Sequence, residues 1–212
     1  MSTNEQRAIH QALQIATLAH KGQFRKFNNT HQPYILHPVR VAGLVLAECP
    51  LHPDLTQLMQ VAYLHDTLED STLTPENLLS EGIPRSVVEM VGWLTRKKTP
   101  DGRQANLKNL IRKMDEVPPQ YREMVHLVKL ADRYDNLDSL ASLLKLTRDT
   151  STQEFIVTYA TESKSLLTTL ISYRGDFDLY GKAWNLVDLI LDHQDDQTLQ
   201  RALNLIDRNR PK

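Results

Sequence analysis

The chain has 212 residues with a formal net charge of −1, 41% hydrophobic and 24% charged residues, and one cysteine, Cys49. A charge this close to zero gives no basic field to attract nucleic acid or an anionic membrane. One cysteine excludes an internal disulfide and a zinc site made of several cysteines. The polar N-terminus has no signal-peptide core, and no apolar run is long enough to span a bilayer. We therefore expect a cytoplasmic protein that acts neither on nucleic acid nor at a membrane.

Apolar residues recur at helical spacing along the chain, and no segment alternates as a half-buried strand does, which predicts an all-α fold. Predicted helices cover, in chain order, residues 5–20, 38–48, 54–69, a short stretch that begins at Thr74-Pro75, 84–96, 119–146 and two or three segments within 152–209. Polar, irregular loops are predicted at 21–35 and 97–106. Because no linker or repeat interrupts the pattern, we predict one domain over residues 1–212, with a core at about 5–172 and a helical extension at about 175–209.

One acidic segment stands out in the predicted helix over 54–69. It reads His65-Asp66-Thr-Leu-Glu69-Asp70, and Glu69 and Asp70 follow Asp66 by three and four residues, so a continuous helix would place them on the face of Asp66. Flanking apolar residues indicate that this helix packs against a core. Carboxylates clustered on a packed helix are costly unless a cation compensates their charge. A metal site is therefore the first hypothesis, and an ordinary capping or surface pair is the alternative for His65 and Asp66.

Two more residues of ligand type stand in similar surroundings. His37 lies at the start of a predicted helix, and Asp132 lies between apolar residues of the predicted helix over 119–146. A helix-start role for His37 and a solvent-facing position for Asp132 are the alternatives. Together with His65 and Asp66 they would form a mixed nitrogen and oxygen site, which suits Mn²⁺, Fe²⁺ or Zn²⁺.

Four sequence blocks occur in order over residues 16–140. They are AHKGQFRK at 19–26, PYILHP at 33–38, HDTLED at 65–70 and LADRYDNL at 130–137. In this order they resemble the hydrolase domain of the RelA/SpoT group, whose members are HD-domain, metal-dependent phosphohydrolases that remove the 3′-pyrophosphate of the alarmone (p)ppGpp. The synthetase and regulatory regions of long family members have no counterpart in this sequence. The chain therefore resembles a stand-alone small alarmone hydrolase, which implies an HD-domain helical bundle.

The resemblance implies a role for each residue of ligand type. The metal ligands, which would hold one Mn²⁺ ion, are His37, His65, Asp66 and Asp132. Glu69 and Asp70 would stand beside the ion as the catalytic pair that orients or deprotonates the attacking water. A plain pair of acids at a helix end is the alternative for Glu69 and Asp70.

The resemblance also implies residues that contact the nucleotide. Arg25 and Lys26 match an Arg-Lys pair that binds the nucleotide in the family, and two exposed loop cations are the alternative. The other matching positions are Asn136, Ser139 and, with a weaker match, Tyr34 and His20. After Lys26 the sequence departs from the family pattern over 27–32, which leaves the choice between a guanine and an adenine base open.

The implied reaction is hydrolysis of (p)ppGpp to GDP or GTP and pyrophosphate. Two alternatives remain open: hydrolysis of (p)ppApp or of another phosphorylated nucleotide such as NADPH, and binding of an alarmone without catalysis. The Glu69-Asp70 pair argues against the second alternative, because a pure binding protein does not need it. For the extension at about 175–209, added packing or a homodimer surface is the default interpretation.

Overall fold

The fold consists of α-helices. The computed structural model describes residues 2–25, 32–96, 102–171 and 177–192. Within these ranges the helices are α1 (Thr3–Ala19), α2 (Leu36–Glu48), α3 (Leu55–Leu64), α4 (Thr67–Asp70), α5 (Pro75–Ser80), α6 (Arg85–Leu94), α7 (Arg103–Asp115), α8 (Pro119–Leu144), α9 (Thr150–Ile171) and α10 (Asp178–Asp192). The extended pairing found there is an isolated bridge between Phe24 and Pro33. The predicted all-α class is therefore confirmed. Among the described residues, no helix combines the length and the apolar character that crossing a membrane requires.

The chain divides into two compact units. The first comprises residues 1–96 and 117–132, and the second comprises residues 97–116 and 133–212. Helices α1 to α6 belong to the first unit, and α7, α9 and α10 belong to the second. Helix α8 begins in the first unit and ends in the second. The single domain that the sequence suggested stays a prediction.

Helix α3 is the centre of the first unit. It packs against α1, α2 and α6. Its buried residues occupy all sides of the helix rather than one stripe: Leu58, Met59, Gln60, Val61, Ala62 and Leu64. A helix that is buried on all sides belongs in a core. The end of α3, which is followed by His65, is therefore enclosed by other helices.

The start of α5 follows directly from its sequence. The Thr74 hydroxyl accepts a hydrogen bond from the backbone N–H of Asn77, and the Asn77 side chain accepts one from the backbone N–H of Thr74. Pro75 occupies the first turn, where its missing N–H costs nothing. This reciprocal capping confirms the short helix predicted after Thr74.

The predicted helix that carries the acidic segment is wrong in one respect, because it is two helices. Helix α3 ends at Leu64 and α4 begins at Thr67, so His65 and Asp66 lie in the turn between them. His65 Nδ1 donates to the Ala62 carbonyl at 2.8 Å, and the Thr67 hydroxyl donates to the Leu64 carbonyl at 2.7 Å. These side-chain donors bind carbonyls of the last turn, which backbone N–H groups would bind in a continuous helix.

In the second unit, α9 contacts both α7 and α10. Helix α7 begins at Arg103, inside the predicted loop at 97–106, after a turn that the positive φ of 91° at Gly102 permits. Arg103 Nε donates to Glu162 Oε1 at 2.6 Å and so joins α7 to α9. Helix α10 belongs to the predicted extension at 175–209, and the end of that extension lies outside the described residues.

Thr67→Val tests the interruption of the helix. Valine keeps the size of the buried side chain but removes the hydroxyl that donates to the buried Leu64 carbonyl. We expect the free energy of unfolding, measured in urea, to fall by roughly 1–3 kcal/mol. Thr17→Val is the matched control, because the Thr17 hydroxyl donates to the Leu13 carbonyl at the same 2.7 Å but on the exposed side of α1. Equal losses in the two variants would contradict the role given to Thr67.

Candidate metal centre

The four predicted metal ligands all lie in the first unit, each at a different kind of position. His37 lies in the first turn of α2, His65 directly follows α3, Asp66 is the N-cap of α4, and Asp132 lies within α8. Three of them are almost fully enclosed, with exposed fractions of 1% for His37, 2% for His65 and 6% for Asp132. The sequence therefore brings helix ends and one helix interior together at a buried polar site.

The side chains of these residues converge on one point. His37 Nε2 lies 3.2 Å from Asp132 Oδ1 and 3.4 Å from Asp66 Oδ2. His65 Nε2 lies 3.1 Å from Asp66 Oδ2 and 4.0 Å from Asp132 Oδ1. The ligand atoms of His37, His65 and Asp132 all lie within 4.8 Å of one another. These three side chains fit a divalent metal ion, and Asp66 stands directly beside both imidazoles.

The hydrogen bonding of His65 provides a test of that fit. Its Nδ1 faces the Ala62 carbonyl, which can only accept, so Nδ1 is the donor and Nε2 is the nitrogen left to bind an ion. His65 Nε2 is buried and has no hydrogen-bond partner within the described part of the chain. A divalent ion bound between Nε2 and the carboxylate oxygens would give this buried nitrogen a partner. The residues present therefore suit a metal ion with nitrogen and oxygen ligands.

Lys129 contributes a buried positive charge that was not predicted from the sequence. Its Nζ donates to Asp132 Oδ2 at 2.7 Å, and the residue is only 4% exposed. Burial acts to raise the pKa of the Asp132 carboxyl, but the Lys129 ammonium holds that pKa well below its usual range. Because Lys129 occupies Oδ2, the other oxygen of Asp132 is the one directed at the imidazoles. The i,i+3 spacing of a lysine and an aspartate in an apolar segment was the available signal.

Tyr34 links the predicted ligand Asp66 to the predicted catalytic residue Asp70. Its hydroxyl lies 2.7 Å from Asp66 Oδ2 and 3.4 Å from Asp70 Oδ2. Burial, followed by the charge of Asp66, raises the pKa of Tyr34 far above its usual value, so the hydroxyl remains a donor. The position of Asp70 is thereby coupled to that of a predicted ligand.

Glu69, the other predicted catalytic residue, has different surroundings. Its Oε2 accepts from the backbone N–H of Arg96 at 2.9 Å, and its Oε1 lies 2.9 Å from a terminal nitrogen of the Arg96 guanidinium. The Glu69 side chain is 4% exposed, whereas that of Arg96 is 47% exposed. This ion pair ties the short helix α4 to the chain that follows α6.

His20 and Gln23 support the same region from the end of α1. The His20 ring is buried and lies against Tyr34, with ring centres 4.7 Å apart. Its Nδ1 lies 2.9 Å from Gln23 Oε1, and Gln23 Nε2 donates to the Asp70 carbonyl at 2.7 Å. Gln23 was not singled out from the sequence, because an isolated glutamine gives no signal there.

The remaining predicted nucleotide contacts lie in three different situations. Arg25 is 7% exposed, and its backbone N–H donates to the Gln32 carbonyl at 3.0 Å. Lys26 lies outside the described residues. Asn136 and Ser139 follow Asp132 along α8 in the second unit, where the Ser139 hydroxyl donates to the Asp135 carbonyl at 2.9 Å. A contact of these residues with a nucleotide stays a prediction.

Several curated proteins are similar to this chain. A guanosine-3′,5′-bis(diphosphate) 3′-pyrophosphohydrolase of Vibrio cholerae is 39% identical over 139 residues, which are 64% of this chain. The bifunctional (p)ppGpp synthase/hydrolase SpoT of Escherichia coli K12 is 39% identical over 138 residues, also 64% of this chain. The resemblance to the RelA/SpoT hydrolases is confirmed. The chain spans 18% of the length of each of these relatives. No protein-family model matches it.

A solved structure shows the same fold. It is described as a metazoan ortholog of SpoT that hydrolyses ppGpp and plays a role in starvation responses. The TM-score is 0.70 at 24% identity, and the match covers 89% of this chain and 95% of that one. The predicted HD-domain helical bundle is therefore confirmed.

Lys129→Met tests the buried charge. Methionine keeps the length of the side chain but leaves the Asp132 carboxylate without its ammonium partner. Because one partner of a buried ion pair is removed, we expect the free energy of unfolding of the metal-free protein to fall by roughly 3–5 kcal/mol. Urea denaturation in the presence of a chelator measures this value.

The matched control for that variant is Lys182→Met. The Lys182 ammonium lies 2.6 Å from Asp178 Oδ2, but both side chains are more than half exposed. An exposed pair contributes little to stability, so we expect almost no change. Similar losses in the two lysine variants would show that Lys129 does not compensate a buried charge.

Proposed function

We propose that this chain is a metal-dependent phosphohydrolase that removes the 3′-pyrophosphate of (p)ppGpp and releases GDP or GTP and pyrophosphate. The observation that carries the proposal is the convergence of Asp66 with the buried residues His37, His65 and Asp132, in a chain similar to enzymes named for that reaction. The cytoplasm, as expected from the sequence, is the proposed location.

The proposed ligands are these two imidazoles and two carboxylates, and the proposed ion is one Mn²⁺. A nitrogen and oxygen ligand set also suits Fe²⁺ and Zn²⁺. When bound, a divalent ion acts as a Lewis acid toward a phosphoryl group and makes a water molecule more acidic. Burial of His37 and His65 supports this role, because a cation in an enclosed site interacts more strongly with developing negative charge.

Asp70 and Glu69 are the proposed catalytic residues. Asp66 and Asp70 share a hydrogen bond to the Tyr34 hydroxyl, so the Asp70 carboxylate lies close to the proposed ligands. This closeness supports a role for Asp70 in activating a water molecule there. In the proposed reaction the water oxygen bonds to the phosphorus that carries the ribose 3′ oxygen, and the bond between that phosphorus and the 3′ oxygen breaks. A carboxylate takes up the water proton, the 3′ oxygen is protonated to the ribose hydroxyl of GDP or GTP, and the released pyrophosphate carries the new oxygen. Glu69, held by Arg96, is the second acid that orients this water.

The proposed substrate is a nucleotide that carries several phosphates. The chain has a net charge of −1, so cations at the site must supply the attraction. Arg25 and Lys26 are proposed for this task, since a guanidinium binds a phosphate through two donors or stacks on a base. The other proposed contacts are Asn136, Ser139 and His20. The association of two chains in a homodimer through the C-terminal extension belongs to the same proposal.

The proposed function predicts activity on ppGpp. In a panel of ppGpp, ppApp and NADPH with the full chain and Mn²⁺, we expect pyrophosphate release from ppGpp with the highest kcat/KM, and its loss with a chelator. A higher kcat/KM for ppApp or NADPH would replace the proposed substrate, and would fit the departure of residues 27–32 from the family pattern. Tight ppGpp binding without turnover would instead indicate a binding protein.

A second prediction concerns the acids. Glu69→Gln and Asp70→Asn each remove a carboxylate without changing its size, so we expect kcat at saturating Mn²⁺ to fall by roughly 10²–10⁴-fold. Calorimetric affinity for Mn²⁺ should stay unchanged, because neither residue is a proposed ligand. The control is Asp178→Asn, an exposed acid on α10. Full turnover of a variant would exclude its residue from the catalytic pair.

A further inference from the structure

The side chain of Tyr34 contacts two acids of the proposed site, Asp66 and Asp70. Its hydroxyl donates to Asp66 Oδ2 at 2.7 Å. The same oxygen lies 3.4 Å from His37 Nε2 and 3.1 Å from His65 Nε2. Tyr34 therefore bonds to the oxygen of Asp66 that faces the imidazoles. The hydroxyl also reaches Asp70 Oδ2 at 3.4 Å, so one donor serves both carboxylates.

The backbone around Tyr34 is fixed by its neighbours. Its backbone N–H donates to the Gln23 carbonyl at 2.9 Å, and its carbonyl accepts from the backbone N–H of His37 at 2.9 Å. The side chain of Gln23 donates to the Asp70 carbonyl at 2.7 Å. One glutamine thus joins the backbone of Tyr34 to the backbone of Asp70. Hydrogen bonds therefore fix the backbone at Tyr34 and at Asp70, and so set the distance between the Tyr34 hydroxyl and the Asp70 carboxylate.

The ring of Tyr34 is held as well. It lies against the buried His20 ring at 4.7 Å between centres and meets the His37 ring edge-on at 5.8 Å. A side chain with a packed ring and a hydrogen-bonded hydroxyl has little freedom to reorient. Tyr34 therefore has the properties of a donor that orients a ligand, whereas the family resemblance suggested a contact with the nucleotide.

We propose that Tyr34 is a positioning residue of the metal centre, whose hydroxyl holds the Asp66 carboxylate against the two imidazoles and keeps Asp70 in register with it. The inference rests on the proposed function, because it takes Asp66 as a ligand. Hydrogen-bond partners of metal ligands contribute about 10–100-fold to metal affinity in proteins. Without the hydroxyl, Asp66 must be ordered by the ion itself, which weakens ion binding.

The test is the affinity of the full-length, metal-free protein for Mn²⁺, measured by titration calorimetry. We expect Tyr34→Phe to bind Mn²⁺ at least about 10-fold more weakly than the unaltered protein. Phenylalanine keeps the ring contacts with His20 and His37, so the thermal midpoint of the metal-free protein should change little. The matched control is Tyr121→Phe, because the Tyr121 hydroxyl donates to Glu89 Oε2 at 2.9 Å away from the ligand set. This control should bind Mn²⁺ like the unaltered protein.

A double-mutant cycle separates positioning from a general structural effect. If Tyr34 acts through Asp66, Tyr34→Phe should cause no further loss of Mn²⁺ affinity when Asp66→Asn is already present. Additive losses would overturn the proposal. Failure of Tyr34→Phe to fold would overturn it too, because the hydroxyl would then serve stability rather than ion binding.

Kinetics provide the second measurement. At limiting Mn²⁺, we expect Tyr34→Phe to lower kcat while the KM for ppGpp stays unchanged. A higher KM with unaltered Mn²⁺ affinity would make Tyr34 a nucleotide contact and overturn its positioning role. Equal Mn²⁺ affinities in Tyr34→Phe and the unaltered protein would overturn this inference alone. An unaltered protein that binds no Mn²⁺ would overturn both the inference and the proposed function.

Discussion

Charge compensation around the buried carboxylate of Asp132 is the interaction on which the rest of the first unit depends. An ionised carboxylate inside a helical core loses its hydration, which is unfavourable unless a nearby positive charge and hydrogen bonds compensate it. Here Lys129, one turn earlier on α8, supplies an ammonium at 2.7 Å from one oxygen, and the imidazole of His37 lies 3.2 Å from the other. The two oxygens of Asp132 therefore have different neighbours, because Lys129 binds Oδ2 and Oδ1 faces the imidazoles. The centre of the unit therefore contains a buried polar site of imidazoles and carboxylates, and a divalent ion that binds such groups only in the folded state adds stability.

The interruption between α3 and α4 contributes to the same site. If α3 continued past Leu64, His65 and Asp66 would follow the ordinary helical path and keep the hydrogen bonds of a regular turn. Instead, His65 Nδ1 donates to the Ala62 carbonyl and the Thr67 hydroxyl to the Leu64 carbonyl. The first of these bonds also fixes Nδ1 as the donor to the carbonyl, which leaves Nε2 as the nitrogen that can bind a metal ion. One hydrogen bond thus lies at the end of α3 and orients the proposed ligand His65.

The proposed ligand set could be named from the sequence because His37, the His65-Asp66 pair and Asp132 lie in sequence blocks that are specific in combination. Most helices were predictable because their apolar residues repeat at helical spacing, and Thr74-Pro75 marked the start of α5. The interruption at His65 was not predictable, because the side chains that cause it are common inside helices. The role of Lys129 was missed because its burial depends on how α8 packs. The hydrogen bond between Tyr34 and Asp66 was missed because the two residues are 32 positions apart in sequence. Contacts of that kind leave no local pattern.

The two acids after Asp66 are neighbours in sequence but belong to different parts of the structure. Both carboxylate oxygens of Glu69 face Arg96, so its position depends on the end of α6. The carboxylate of Asp70 faces the Tyr34 hydroxyl, and its backbone carbonyl accepts from Gln23, so its position depends on the segment between α1 and α2. Adjacent residues on a short helix point in different directions, and each needs its own support. A four-residue helix has too few internal hydrogen bonds to be rigid alone. The orientation of the proposed catalytic pair therefore comes from tertiary contacts on both sides of α4, which is why Gln23 and Arg96, neither of them a ligand, belong to the architecture of the site.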